Sequence, residues 1–294
     1  MSQVFRLIKR SIKLILYFFQ CLIGFVVFFF RILFFNKSIR SMKKKGTKDT
    51  IAILANGPSL KTVLPSLLSE LELKDQDYSV LNFFAFDDAF FQIKPKYYCL
   101  ADPMFFRDTL KSEDVKRLYS ILENEVDWKM YIYVPSIAYK TLRKYSKLQN
   151  KNLIIVPVNC AEYSGWECLR NFFYKSGFSM PRVQTVANLA VYTALNDGYN
   201  TLFLYGFDHT FLETLYVNDD NQLCDKTAHF YDDGKPLLKP IRFEEGQRVR
   251  ISEYVQAISH MFRSHDQLAA YGRYLNVKII NKTNGSMIDS YDRQ

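Results

Sequence analysis

The stretch 50–61, TIAILANGPSLK, decides how the rest of the chain is read. Thr50–Leu54 is a continuous apolar run of strand length, Asn56-Gly57-Pro58-Ser59 is a tight polar turn, and Leu60 opens a helical pattern. An apolar run without alternation suits a strand buried on both faces, as in a parallel sheet covered by helices. Gly57 lets the backbone turn and approach a ligand, and Pro58 presets the turn. Ser59 can cap the following helix, whose exposed N–H groups favour an anion. The same four residues also serve a plain strand-to-helix turn, so the meaning of the loop depends on its neighbours.

Outward from this loop, apolar runs alternate with helical patterns. Strands are expected at Thr50–Leu54, Tyr78–Phe84, Tyr97–Ala101, Met130–Val134, Leu153–Val158, Thr201–Tyr205 and Val277–Ile280. Helices are expected at 60–72, 113–124, 136–146, 185–197 and about 251–275. This alternation predicts an α/β fold, a Rossmann-like and mostly parallel sheet with helices on both faces, running through residues 50–294. In such sheets ligands sit beyond the carboxyl ends of the strands. The chemistry is therefore sought in the loops that follow strands.

The N-terminus differs in kind. Leu14–Phe30 carries no charge, and spanning a bilayer takes roughly 17 to 25 residues. Basic clusters flank it: Arg6, Lys9, Arg10 and Lys13 before, and Lys37, Arg40, Lys43, Lys44, Lys45 and Lys48 after. The sequence thus predicts a membrane anchor helix over 1–36 and a basic linker over 37–49. The heavier cluster on the C-terminal side places the soluble part in the cytoplasm, at the inner membrane. Basic residues on both sides also suit a helix lying in an anionic leaflet. Much of the +9 net charge of the 294 residues lies beside this segment, and no nucleic-acid-binding motif is present. Cys21, Cys99, Cys160, Cys168 and Cys224 are scattered without metal-ligand spacing and read as reduced thiols.

Four post-strand regions carry polar groups. Asn82 is followed by Phe83-Phe84-Ala85-Phe86-Asp87, and Asp102 by Pro103-Met104-Phe105-Phe106. A polar residue followed by aromatics suits a pocket that hydrogen-bonds and stacks a base or sugar. Thr185 is a natural cap for the helix beginning Val186-Ala187-Asn188 and a possible phosphate contact. The strand Thr201–Tyr205 runs into Gly206-Phe207-Asp208-His209-Thr210, the densest ionisable cluster after a strand. Of the four histidines, His209 and His229 fall in loops, whereas His260 and His265 lie on the long helix, where packing or solvation is expected. His is the commonest general base near neutral pH, so His229 and His209 lead the catalytic candidates.

In order, these features resemble glycosyltransferase family 42, the bacterial sialyltransferases that use CMP-sialic acid. The resemblance covers about residues 50–290 and is tight at NGPSL and over 185–208. It implies that Asn56, Gly57, Pro58 and Ser59 contact the cytidine nucleotide and that Asn82 binds the phosphate or sugar side of the donor. Asp102 stands where the family has Asn. Thr185 matches the family's Thr, but Val186-Ala187 replaces its Ser-Gly, and the family's two leaving-group tyrosines have no clear counterpart beyond Tyr216 or Tyr231.

The resemblance further implies His229 as base, with direct displacement at the anomeric carbon and no metal or other cofactor. Asp208 would orient a histidine or the acceptor, or cap a loop. The partners implied are a CMP-activated donor, sialic acid or a related ulosonic acid, and a glycan or glycolipid acceptor for lipopolysaccharide or capsule; the oligomeric state stays open. The only DxD, Asp75-Gln76-Asp77, precedes strand two and reads as a solvated turn. Two rival readings are a metal-dependent pterin-type pyrophosphokinase using Asp102 and Asp208, and a non-catalytic envelope-assembly protein with the same fold.

Overall fold

The computed structural model describes residues 3–35, 46, 48–70, 75–106, 112–225, 239–242 and 248–293. The chain divides into two compact units. The first joins Met1–Met42 to Asn159–Pro181, and the second comprises Lys43–Val158 and Arg182–Gln294. The sequence carries one domain through 50–294, whereas the structure groups residues 159–181 with the N-terminal helix.

In chain order the elements begin with α1 (Gln3–Phe35), β1 (Thr50–Leu54), α2 (Leu60–Ser69), β2 (Gln76–Leu81), α3 (Ala89–Ile93), β3 (Tyr97–Cys99), α4 (Glu113–Asn124), β4 (Met130–Pro135) and α5 (Tyr139–Tyr145). They continue with β5 (Leu153–Val158), α6 (Glu167–Lys175), α7 (Val186–Asp197), β6 (Thr201–Tyr205), β7 (Leu215–Val217) and β8 (Leu223–Asp225). The last are β9 (Lys239–Pro240), α8 (Ile251–Tyr274), β10 (Lys278–Asn281) and β11 (Asp292–Arg293).

The first unit contains α1 and α6. Phe5–Phe34 of α1 is one helix long and apolar enough to cross a membrane. Phe28 packs edge-on against Tyr163, with ring centroids 5.0 Å apart, and against Phe173 at 4.9 Å.

The second unit is α/β. Eight strands form one parallel sheet in the order β11-β10-β6-β1-β2-β3-β4-β5, and β7, β8 and β9 make a small antiparallel sheet. From β1 the chain steps outward to β5, then returns to the other side of β1 with β6. The order therefore reverses between β1 and β6. One face is covered by α2, α3, α4 and α5, with Leu60, Leu64, Phe90, Val115, Leu118 and Leu142 in its core. The other carries α7, which packs on β1, β2, β3 and β6 and is covered in turn by α8. Being enclosed on both sides explains why α7 (VANLAVYTALND) is buried nearly all round.

Two expectations change here. Strand β2 stops at Leu81, because Asn82 takes a left-handed backbone (φ 47°) that no strand can continue. Gln76 and Asp77 belong to β2 and are buried, so the DxD is not a solvated turn. Asp77 accepts from Lys96 Nζ at 2.7 Å and from the Tyr199 hydroxyl. A buried carboxylate is tolerated only with such partners.

Candidate functional site

A cavity of about 350 Å³ opens at the carboxyl ends of β1, β2, β3 and β6, and Thr185 and the first turn of α7 close one side. It lies where the strand order reverses, the usual place for a ligand in an open α/β sheet. Asn56, Gly57, Pro58, Asn82, Asp102, Thr185, Asp208 and His209 all line it. The loops that hold them are the ones singled out in the sequence.

The β1 and β6 loops are locked together. Ala55 N–H donates to Tyr205 O at 2.8 Å and Gly57 N–H to Gly206 O at 3.0 Å, extending the ladder past both strands. A Cβ on Gly57 would lie 1.9 Å from Asp208 Oδ2 and 2.5 Å from Gly206 O, so this approach needs glycine. Gly206, at φ 71°, needs it for its backbone as well.

Asp208 explains the closeness. Its Oδ2 accepts from Ser59 Oγ at 2.7 Å and its Oδ1 from Ser59 N–H at 3.1 Å. Ser59 occupies the N-cap position of α2 without a side-chain cap bond, because its hydroxyl is engaged by Asp208. Burial pushes the Asp208 carboxyl above the usual carboxylate range, while the two Ser59 bonds pull it back. Its carboxylate thus clamps one loop to the other across the switch point, through Ser59 and not through a histidine. The first loop accordingly does not offer the Ser59 N–H to a phosphate.

The asparagines are used differently. Asn56 Nδ2 donates to Leu81 O at 3.1 Å, which orients its amide, and its buried Oδ1 has no partner among the described residues. Asn82 Oδ1 is likewise buried and unpartnered. Its backbone is held by Cys99 O at 3.1 Å and by the Tyr98 hydroxyl, which donates to Asn82 O. Unsatisfied buried acceptors cost stability and call for donors from a ligand.

His209 is buried at the cavity wall, with a left-handed backbone at φ 52°. Its Nε2 lies 3.2 Å from His265 Nε2, and His265 Nδ1 lies 2.8 Å from the Tyr291 hydroxyl. Asn188 Nδ2 is 3.2 Å from His265 Nε2, while Asn188 Oδ1 accepts from Thr185 N–H and Oγ1, both at 3.3 Å.

These contacts assign the tautomers by hydrogen bonding. Thr185 supplies two donors, so Asn188 turns its oxygen to Thr185 and its NH₂ to His265 Nε2, which must accept. His265 then carries its proton on Nδ1 and donates to Tyr291. His209 Nε2 shares that single lone pair as a second donor, because two bare nitrogens 3.2 Å apart would repel, and this leaves the His209 Nδ1 unprotonated. Burial pushes His209 down to about 3 and His265 well below the usual imidazole range, with each other's proximity adding to the latter, so both are neutral at pH 7.

Of the two roles expected for His265 on the long helix, the structure shows packing and not solvation: it is fully buried and bonded to His209. No local signal in the sequence marks it, since the two are 56 residues apart. The expected stacking aromatics are also corrected. Phe84, Phe105 and Phe106 belong to the core under α2 and α4, with Phe83 and Phe86 packed against it. Among the described residues, the phenylalanine that lines the cavity is Phe211, whose ring meets His209 edge-on at 5.4 Å. Asp102 is exposed and its Oδ1 caps the next turn, accepting from Met104 N–H at 2.9 Å. Thr185 opens α7 as expected, with its hydroxyl donating to Asn188. His229 and Tyr231 lie outside the described residues.

No protein-family model matches the chain, and comparison with curated proteins returns no match either.

Proposed function

We propose that the crevice binds the cytidine nucleotide of a CMP-activated sugar, sialic acid or a related ulosonic acid. The chain is then a membrane-attached glycosyltransferase of the bacterial inner membrane, acting from the cytoplasmic side on a glycan or glycolipid. The observation that carries the reading is the pair of buried, unpartnered amide oxygens, Asn56 Oδ1 and Asn82 Oδ1, at the strand-order reversal. Both are acceptors. They suit the exocyclic amine of cytosine and sugar hydroxyls, and they repel a phosphate. The phosphate belongs instead at the start of α7, where the Val186 and Ala187 N–H groups face no described partner and the helix dipole favours an anion.

In the transfer step an acceptor hydroxyl gives its proton to His209 Nδ1, its oxygen bonds the anomeric carbon, and the bond to the phosphate breaks to release CMP. Burial alone leaves His209 too desolvated to hold a proton. The donor's phosphate and carboxylate supply the negative charge that raises its basicity when the site is filled. The chain of contacts behind it, through His265 to Tyr291, holds the proton on Nε2 and leaves Nδ1 free to accept.

The test is thermal unfolding with CMP, CDP, UDP, GDP and ATP, each with and without magnesium. CMP should raise the melting temperature without metal, whereas stabilisation by ATP with magnesium alone would overturn the reading. His209→Ala should keep the CMP shift and lose transfer; full transfer by that variant would remove His209 from the mechanism.

A further inference from the structure

Helix α1 has two unlike faces along its whole length. Ile12, Ile15, Phe19, Ile23, Val26 and Phe30 follow helical spacing down one side, and all are exposed. The opposite side carries Arg6, Arg10, Lys13, Gln20, Gly24 and Arg31 at the same spacing. Residues 159–181 cover only the part of α1 around Gly24 and leave Arg6, Arg10, Lys13, Gln20 and Arg31 exposed. A Cβ on Gly24 would lie 2.0 Å from Ser164 O, Cys21 and Phe28 are buried, and the Phe18 ring lies 5.6 Å from Trp166.

We propose that this unit is a lipid-surface module in which α1 lies in the plane of an anionic membrane and does not cross it. The covering segment decides the geometry. It meets α1 from Phe18 to Phe28, the middle of the uncharged run. Were that run to cross a bilayer, residues 159–166 would place irregular backbone at mid-depth, where lipid cannot satisfy its polar groups. The exposed Glu162, Glu167 and Lys175 would sit there too, each costing roughly 3 kcal/mol at the centre of a span. Laid flat, the same helix puts every charge at the headgroup level and only the bare apolar face in the acyl boundary.

The occupant is lipid for two further reasons. The apolar helix Phe5–Phe34 has 30 residues, about 45 Å at about 1.5 Å per residue, and its bare face runs the full length. Helix α1 also contains five cations, Arg6, Lys9, Arg10, Lys13 and Arg31, and no acid, so a second copy would bring like charges together where anionic headgroups neutralise them. The inference does not depend on what the crevice binds.

The test uses the full chain. Ser2→Cys and Ser38→Cys, made singly in a Cys168→Ser background, are probed with a membrane-impermeant thiol reagent in sealed spheroplasts and in inverted vesicles. Both sites should label from one and the same side, and labelling from opposite sides overturns the proposal. A second arm measures flotation with vesicles of phosphatidylcholine, with and without phosphatidylglycerol. Partition should rise at least tenfold with the anionic lipid. Gln20→Arg should change it less than twofold, and Ile23→Arg should lower it at least tenfold. Equal losses for the two arginines, or no lipid dependence, would also overturn it.

Discussion

At the amino edge of the parallel sheet, Asp77 accepts from Lys96 and Tyr199, the Tyr199 and Tyr97 hydroxyls lie 2.9 Å apart, and Asp197 accepts from Tyr133. At the carboxyl edge, Asn56 and Asn82 keep amide oxygens that no described residue satisfies, and Asn82 and His209 hold left-handed backbones. Both edges are polar and both are buried. The amino edge is saturated: its hydrogen bonds close on one another, and burial raises Tyr97, Tyr133 and Tyr199 above the usual phenol range, keeping their protons in place as donors. The carboxyl edge retains acceptors and strain, the condition of a surface completed by something else. Polar burial alone does not mark a site; unmet polar burial does.

The contrast is broken most directly at Asp77. Asp77→Ala leaves the Lys96 ammonium and the Tyr199 hydroxyl without their partner, and should cost about 3 to 5 kcal/mol in denaturant unfolding while CMP binding by the folded fraction stays unchanged. A loss of CMP binding at full stability would mean that the amino edge also serves the ligand.

Acid tests the histidine pair next. An unfolded His protonates near pH 6.5, but His209 and His265 do so only at lower pH when folded. Below about pH 6.5 the unfolded chain therefore binds more protons, and stability falls as pH falls, by about 1.4 kcal/mol per pH unit for each histidine. The raised carboxyl of Asp208 opposes this toward the acid end. Melting measured between pH 7.5 and 5.5 should show the slope, and His265→Gln should reduce it by about half.

The unmet acceptors give the sharpest contrast with Asp77. Asn56→Ala and Asn82→Ala should each weaken CMP binding about tenfold, corresponding to about 1.4 kcal/mol, while lowering stability by less than about 1 kcal/mol. Calorimetric titration and unfolding on the same samples separate the two effects. Smallest is Asp102→Ala, which removes one exposed turn cap and should cost about 0.5 kcal/mol with no change in CMP affinity. A tenfold change there would place Asp102 in the donor site after all.

Much of this was legible in the chain. Runs such as TIAIL and LIIVPV are too uniformly apolar for one-sided strands, and β1, β5 and β6 begin and end where their apolar runs do. Because ligands gather at strand carboxyl ends, reading the loops after strands was enough to collect Asn56, Gly57, Asn82, Thr185 and His209 around one cavity. The small strands β7 to β9 and β11 went unread, since two or three residues carry no period. Helix α6 escaped because its apolar side answers α1, far earlier in the chain.

The sequence by itself determined which residues lie on strands, which loops face the ligand edge, and that the N-terminal helix is apolar enough for a membrane. Those properties follow from local periodicity and turn chemistry, which each segment carries within itself. Only the tertiary structure decided that Asp208 clamps Ser59 across 149 residues, that His265 sets the tautomer of His209, that the phenylalanines after β2 and β3 turn into the core, and that Asp77 is buried rather than solvated. A hydrogen bond between distant residues exists only once the sheet has closed and excluded water, and no window of the chain contains both of its ends.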